Sequence, residues 1–226
     1  MRKIINERTN LPKSEVVDGF NELLKVYSPS CIVADVQERA GVMHSYIKPI
    51  DQASRFAGVA LTVRLEPGNQ VDCLDALSVA KAGDVIVVDA AGETETSIWG
   101  GLMAGLCQMK GVVGAVVDGG IRDTDEIRDL GFYIFSKAIV PRSTHTIVSG
   151  RMEPIEINVL IQCAGVIVNP GDIIIADEVG VTVIPCEHSE EVLEKAKLQA
   201  EKEEETRAAI RAGKTVDELL AEFGRL

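Results

Sequence analysis

At 226 residues the chain suits one domain with peripheral additions, and with 46% hydrophobic but only 4% aromatic residues its core has to be built from Val, Ile, Leu and Ala in packed layers. A formal charge of −12, from 23 Lys and Arg against 35 Asp and Glu, argues against a nucleic-acid partner and leaves room for a protein with a basic face. No apolar run reaches the roughly 18–20 residues of a membrane span, and MRKIINERTN lacks the apolar centre of a signal peptide, so a cytoplasmic protein with no membrane partner is expected.

Residues 1–30 read as a helical extension, 31–188 as an α/β body and 189–226 as a charged helical tail. In the extension, Ser14 is placed to cap a helix carrying Val16, Val17, Phe20, Leu23 and Leu24 at helical spacing, stopped before Pro29. Residues 31–41 predict a short helix with Ile32, Val33, Val36 and Ala40 on one face; Asp35, Glu38 and Arg39 lie elsewhere, where charges are ordinarily solvated. Two strands follow at 47–50 and 56–65, the second closed by Pro67-Gly68-Asn69, and then a short helix over 74–80. Gly83-Asp84 turns the chain into a strand over 85–89, with a polar loop at 92–96. The same Gly-Asp turn recurs in NPGDIIIADEVGVTVIP, residues 169–185, whose end at 181–184 reads as a hairpin return. Three β-branched runs, 85–88, 112–117 and 173–176, make an α/β pattern with strands either parallel or mixed.

Between 132 and 170 short strands alternate with loops, and His145 sits among hydroxyls, touching substrate or bonding locally. The tail carries i,i+4 charges such as Glu203 and Arg207, breaks at Gly213 and resumes over 216–223, as suits a solvated helix leaning on a neighbour. Five cysteines, far apart and without CxxC spacing, read as reduced thiols with no nearby histidine to activate them. Neither His44 nor His188 has a partner at metal-ligand spacing, which disfavours zinc.

The rest of the chain is organised around KGVVGAVVDGGIRD, residues 110–123. Its strand is expected to end in a turn at Asp118-Gly119-Gly120, followed by Arg122 and Asp123 at the strand's carboxyl end, where open α/β sheets bind ligands. Two readings of that pair stand: a surface pair in which Asp123 caps a helix over 124–130, or a fixed cation beside a hard oxygen ligand. Just upstream, WGGLM opens a helix at Gly100-Gly101, either as a mere turn or as an anion site where free amides meet a carboxylate and glycines admit close approach. Together the two elements suit a small 2-oxo acid, with Asp123 holding a divalent metal whose Lewis acidity stabilises an enolate. Retro-aldol cleavage and β-decarboxylation share that enolate.

The motif G-x-x-G-x-V-x-D-G-x-x-R-D, here Gly111, Gly114, Val116, Asp118, Gly119, Arg122 and Asp123, resembles the family that joins the regulator of ribonuclease activity A to the 4-hydroxy-4-methyl-2-oxoglutarate aldolases. PGDIIIADEVGVTVIP is similar to that family's second signature, and the match runs loosely over 30–185. The resemblance implies a three-layer α/β/α sandwich like the phosphohistidine swivelling domain, assembled as a homotrimer or hexamer with sites between subunits. It further implies that backbone groups of Gly100, Gly101, Leu102 and Met103 hold pyruvate, that Arg122 contacts substrate oxygens, and that Asp123 binds Mg2+ or Mn2+. The helix around Asp35 resembles an acidic segment reaching a neighbour's site. One departure stands out: family aldolases often carry Asp or Glu where this chain has Gly101, so the metal site is looser, uses Glu93 or Glu95, or serves another substrate. The expected activity is a metal-dependent aldolase of 2-oxo acids with oxaloacetate decarboxylation as a second reaction. The alternative is an acidic regulator that binds and inhibits a ribonuclease, which rising ionic strength would weaken.

Overall fold

The structure is a computed structural model and describes residues 3–65, 73–144 and 155–224; the Pro67-Gly68-Asn69 turn and His145 lie outside them. The described strands are β1 (Ile4–Ile5), β2 (Lys48–Pro49), β3 (Phe56–Leu65), β4 (Asp84–Trp99), β5 (Gly114–Ile121), β6 (Ile134–Ile139), β7 (Ile155–Ile157), β8 (Ile161–Cys163), β9 (Val166–Val168), β10 (Ile173–Asp177) and β11 (Gly180–Ile184). The helices are α1 (Ser14–Leu23), α2 (Pro29–Val36), α3 (Gly101–Met109), α4 (Thr124–Asp129), α5 (Ser189–Arg211) and α6 (Val216–Phe223).

One mixed sheet runs β1-β7-β3-β4-β5-β6-β2, with β10 and β11 joined along the first half of β3. Strands β3 to β6 are parallel, whereas β10 is antiparallel to β3 and forms a hairpin with β11. The central strands are buried on both faces, which is why their sequences run apolar without alternation. From β5, Ala115, Val117 and Ile121 pack with Ala104 and Cys107 of α3 and Ile127 of α4. Val116 points the other way, towards Phe135 and the β8-β9 hairpin. The β10-β11 hairpin has two covered faces as well: Ile173, Ile175 and Ile184 meet Phe20 of α1, Ile32 of α2 and Leu193 of α5 in one cluster. α1 and α5 therefore share a core instead of standing free.

The recurring Gly-Asp turn has one physical basis. Asp84 accepts the amide of Lys81 at 2.7 Å and Asp172 that of Asn169 at 2.7 Å, so each carboxylate closes the turn three residues back. Asp84 is also gripped by both guanidinium nitrogens of Arg8, at 2.6 and 2.7 Å, almost out of solvent. Burial pushes the Asp172 carboxyl above its ordinary range, against the amides of Asn169 and Cys186, which pull it down.

Several local expectations change. Ser14 is the first residue of α1, not its cap; α2 runs only to Val36, because Glu38 and Arg39 turn left-handed at φ 55 and 72°; the helix expected over 74–80 is a 3-10 turn, Leu74–Ser78. More consequentially, the polar stretch 92–96 is not a loop and Asp118-Gly119-Gly120 is not a turn. Both belong to strands, and the pairing slips: Asp89 faces Asp118, Glu93 faces Gly119, Ser97 faces Gly120 and Trp99 faces Ile121. The end of β4 thus bulges past β5 while staying bonded to it. Glycine at 120 permits this, since a Cβ there would lie 2.7 Å from both the Thr96 carbonyl oxygen and Val140 Cγ1.

Candidate active site

Because β4 and β5 finish side by side at Trp99 and Ile121, whatever follows each strand is brought together. From β4 come Gly100 and α3; from β5 come Arg122, Asp123 and α4. The Arg122 amide donates to the Trp99 carbonyl at 2.9 Å and fixes the junction. Asp123 follows with φ 54°, a left-handed backbone that aspartate tolerates better than most residues. It occupies the N-cap position of α4, yet its side chain makes no capping bond there. Its Oδ2 instead accepts the Gly101 amide at 3.2 Å, with Arg122 Nε 3.4 Å from the same oxygen. Both side chains stay open to solvent, at 40% and 39% exposure.

At the N-terminus of α3, Gly100 provides no side-chain cap. The amides of Leu102 and Met103 belong to the first turn, where the helix itself offers no acceptor, and the helix dipole adds positive potential at the same point. Gly100 has an extended backbone that any residue adopts; space is what excludes a side chain, because its Cβ would sit 2.5 Å from Asp123 Oδ2. A Cβ at Gly101 would fall on the carboxylate of Glu126. Sequence reasoning did not single out Glu126, although its i,i+3 spacing from Asp123 puts both carboxylates on one side of α4.

The structure therefore gathers Gly100, Gly101, Leu102, Met103, Arg122 and Asp123 at one point. Asp35 is not brought there by this chain alone, since α2 packs on β10, β11 and α5. Glu93, a candidate substitute for a carboxylate at position 101, is engaged locally, its Oε1 accepting the amides of Glu95 and Thr96 at 2.5 and 3.1 Å. Asp118 of the DGG motif serves the opposite face, accepting the Ala164 amide at 2.9 Å, with Lys137 Nζ 3.9 Å away. The cysteines are all free, and burial pushes the Cys107 thiol up to about 12 and that of Cys163 well above the ordinary thiol range, so neither is a nucleophile at neutral pH.

Among the described residues, no three His, Cys, Asp or Glu side chains gather to hold a metal. What does converge on the two glycines is a pair of carboxylates, Asp123 and Glu126. Mg2+ is commonly held by one or two carboxylates with water and substrate oxygens completing its shell, so this donor set fits a hard divalent ion and lacks the His and Cys ligands of a zinc site. No helix among the described residues is long and apolar enough to cross a membrane.

A mixed α/β domain here sets first-turn helix amides, an arginine and carboxylates at adjoining strand ends, an arrangement chemically able to meet a small anion or a hard cation. The chain belongs to the RraA-like family, whose Aldolase/RraA model matches residues 14–183. A protein of Halalkalibacterium halodurans named as a candidate 4-hydroxy-4-methyl-2-oxoglutarate aldolase is 38% identical over 182 residues, covering 80% of this chain and 84% of its own. A Thermus thermophilus protein named 4-hydroxy-4-methyl-2-oxoglutarate aldolase is 31% identical over 68% of this chain and 90% of its own. Among solved structures, RraAS2 of Streptomyces coelicolor, described as an unusual member of the RNase ES inhibitor RraA family, aligns with a TM-score of 0.75 and 27% identity over 87% of this chain and 98% of its own.

Proposed function

We propose that this protein is a divalent-metal-dependent lyase that cleaves a C–C bond of a 2-oxo acid, a 4-hydroxy-4-methyl-2-oxoglutarate aldolase in type with oxaloacetate decarboxylation as a second reaction. The observation that carries the reading is the convergence of the Gly101, Leu102 and Met103 amides with Arg122 and Asp123 at the joined ends of β4 and β5. In this reading the first-turn amides of α3 hold the substrate carboxylate, and the Arg122 guanidinium orients the oxo-acid oxygens and offsets the charge that develops on them. Asp123, already turned towards α3, holds the metal, which when bound supplies Lewis acidity to the 2-oxo group. The aldolase names of the relatives support the reaction class. The swivelling-domain likeness, the cytoplasmic location and the homotrimer or hexamer belong to the same proposal. An apolar stripe of Leu102, Leu106 and Met109 on the outer side of α3, 80%, 39% and 85% exposed, supports assembly next to the site. In the same proposal Asp35 of another subunit reaches the site.

Pyruvate release coupled to lactate dehydrogenase tests the reading, with oxaloacetate and with 4-hydroxy-4-methyl-2-oxoglutarate, under Mg2+ or Mn2+ and then excess chelator. Release above the metal-only blank that chelator abolishes, and that Arg122→Ala loses with folding intact, is the expected result. Normal turnover by Arg122→Ala would falsify the site assignment. The second reading, a ribonuclease-binding regulator, is favoured by the description of the Streptomyces relative and by the −12 charge; absence of pyruvate release from both acids would turn the balance towards it.

A further inference from the structure

We propose that Glu126 supplies the second carboxylate of the metal site, delivered from α4 into the space over Gly101 that a side chain on α3 would otherwise fill. The inference rests on the metal-dependent reading above. A Cβ at Gly101 would coincide with the Glu126 carboxyl group, and one at Gly100 would press on Asp123 Oδ2 at 2.5 Å, so neighbouring glycines hold neighbouring carboxylates. Glu126 is exposed and free to extend into water, yet it lies against the helix end. Among the described residues it has no hydrogen bond or ion pair there.

Charge sharpens the point. Asp123 and Glu126 stand i,i+3 on one side of α4, a spacing at which like charges repel. The only cation paired with either among the described residues is Arg122, through a single 3.4 Å contact to Asp123. Two carboxylates against one guanidinium leave a net negative site that a divalent cation complements. Glu93 is engaged with the amides at 95 and 96, and Asp35 stands on α2, which packs on β10, β11 and α5.

The test is Mn2+ binding to the full chain without substrate, read by calorimetry and by the paramagnetic resonance of free Mn2+. Glu126→Gln keeps shape and removes charge; we expect Mn2+ affinity to fall roughly 10- to 100-fold, the range seen when a group supporting a bound metal is lost, with the metal-free melting temperature unchanged. Asp125→Asn removes an equal charge from the same turn and is expected to stay within about twofold of wild type. Equal weakening by the two variants would mean a field effect and overturn the proposal. So would wild-type affinity in Glu126→Gln while Asp123→Asn loses binding, an outcome that leaves the metal reading intact. If the unaltered protein binds no Mn2+, the metal reading itself falls and takes this inference with it.

Discussion

Replacing Gly101 by alanine pulls stability and metal binding in opposite directions, and that opposition makes it informative. Gly101 is the first residue of α3, where alanine in place of glycine stabilises a helix by about 0.5–1 kcal/mol. The three atoms nearest a new Cβ are the Oε2, Cδ and Cγ of Glu126, all within 3 Å. Those form the far end of a flexible, exposed side chain, so the backbone has no need to shift and Glu126 swings out to solvent. A melting temperature about 1–4 °C higher follows for a chain of this size. If the displaced carboxylate binds metal, Mn2+ affinity drops at least tenfold in the same protein. Calorimetric melts without metal, followed by Mn2+ titration at a temperature far below the transition, measure both quantities on one sample. Higher stability with unchanged Mn2+ affinity would refute the reasoning about Glu126; a fall in both would refute the reasoning about space at position 101.

Two further outcomes follow from buried groups. Arg8→Met leaves the Asp84 carboxylate, 5% exposed, with the Lys81 amide as a remaining donor, so a loss near 3 kcal/mol is expected, at the low end for breaking a buried pair; denaturant unfolding showing under 1 kcal/mol would contradict it. Cys107 is held protonated by burial, at about 12 against 9.0 unfolded. Its folded pKa is the higher one, so its contribution is intact below pH 9 and is lost as pH rises towards 12, by up to about 1.4 kcal/mol per pH unit. Denaturant unfolding across that window should show the slope, and Cys107→Ala should remove Cys107's share of it.

How much of this was legible beforehand depended on the range of the interaction. Apolar runs announced β4, β5 and β10 because strands buried on both faces need no alternation. Arg122, Asp123 and the two glycines were visible as residues that commonly do chemistry at strand ends. Direction was invisible: the Ile173 run resembles the Val85 run in sequence, yet β10 is antiparallel to β3 while β4 is parallel to it. Nor could sequence tell that Asp123 turns its carboxylate to an amide 22 residues away instead of capping its own helix, because left-handed Asp123 is stabilised by a partner from another element. The tail read as solvated for a similar reason, since Val192, Leu193, Ala196 and Ala200 find their cover on α1 and α2.

The glycines show where local rules stop. Asp-Gly-Gly is a turn signal when nothing else is near, but at 119 and 120 the missing side chains make room for the last stretch of β4, which lies against them from Glu93 to Ser97. That passage brings Trp99 level with Ile121 and so sets α3 beside Arg122 and Asp123. Gly100 and Gly101 then repeat the device one step further on, giving up their own side chains to the carboxylates of Asp123 and Glu126. The two glycine pairs are thus two close approaches in series, the first aligning the strands and the second filling the gap between the helices they carry. A side chain at 120 would therefore disturb the site through β4 without touching it, whereas one at 101 would exchange one carboxylate's place for its own.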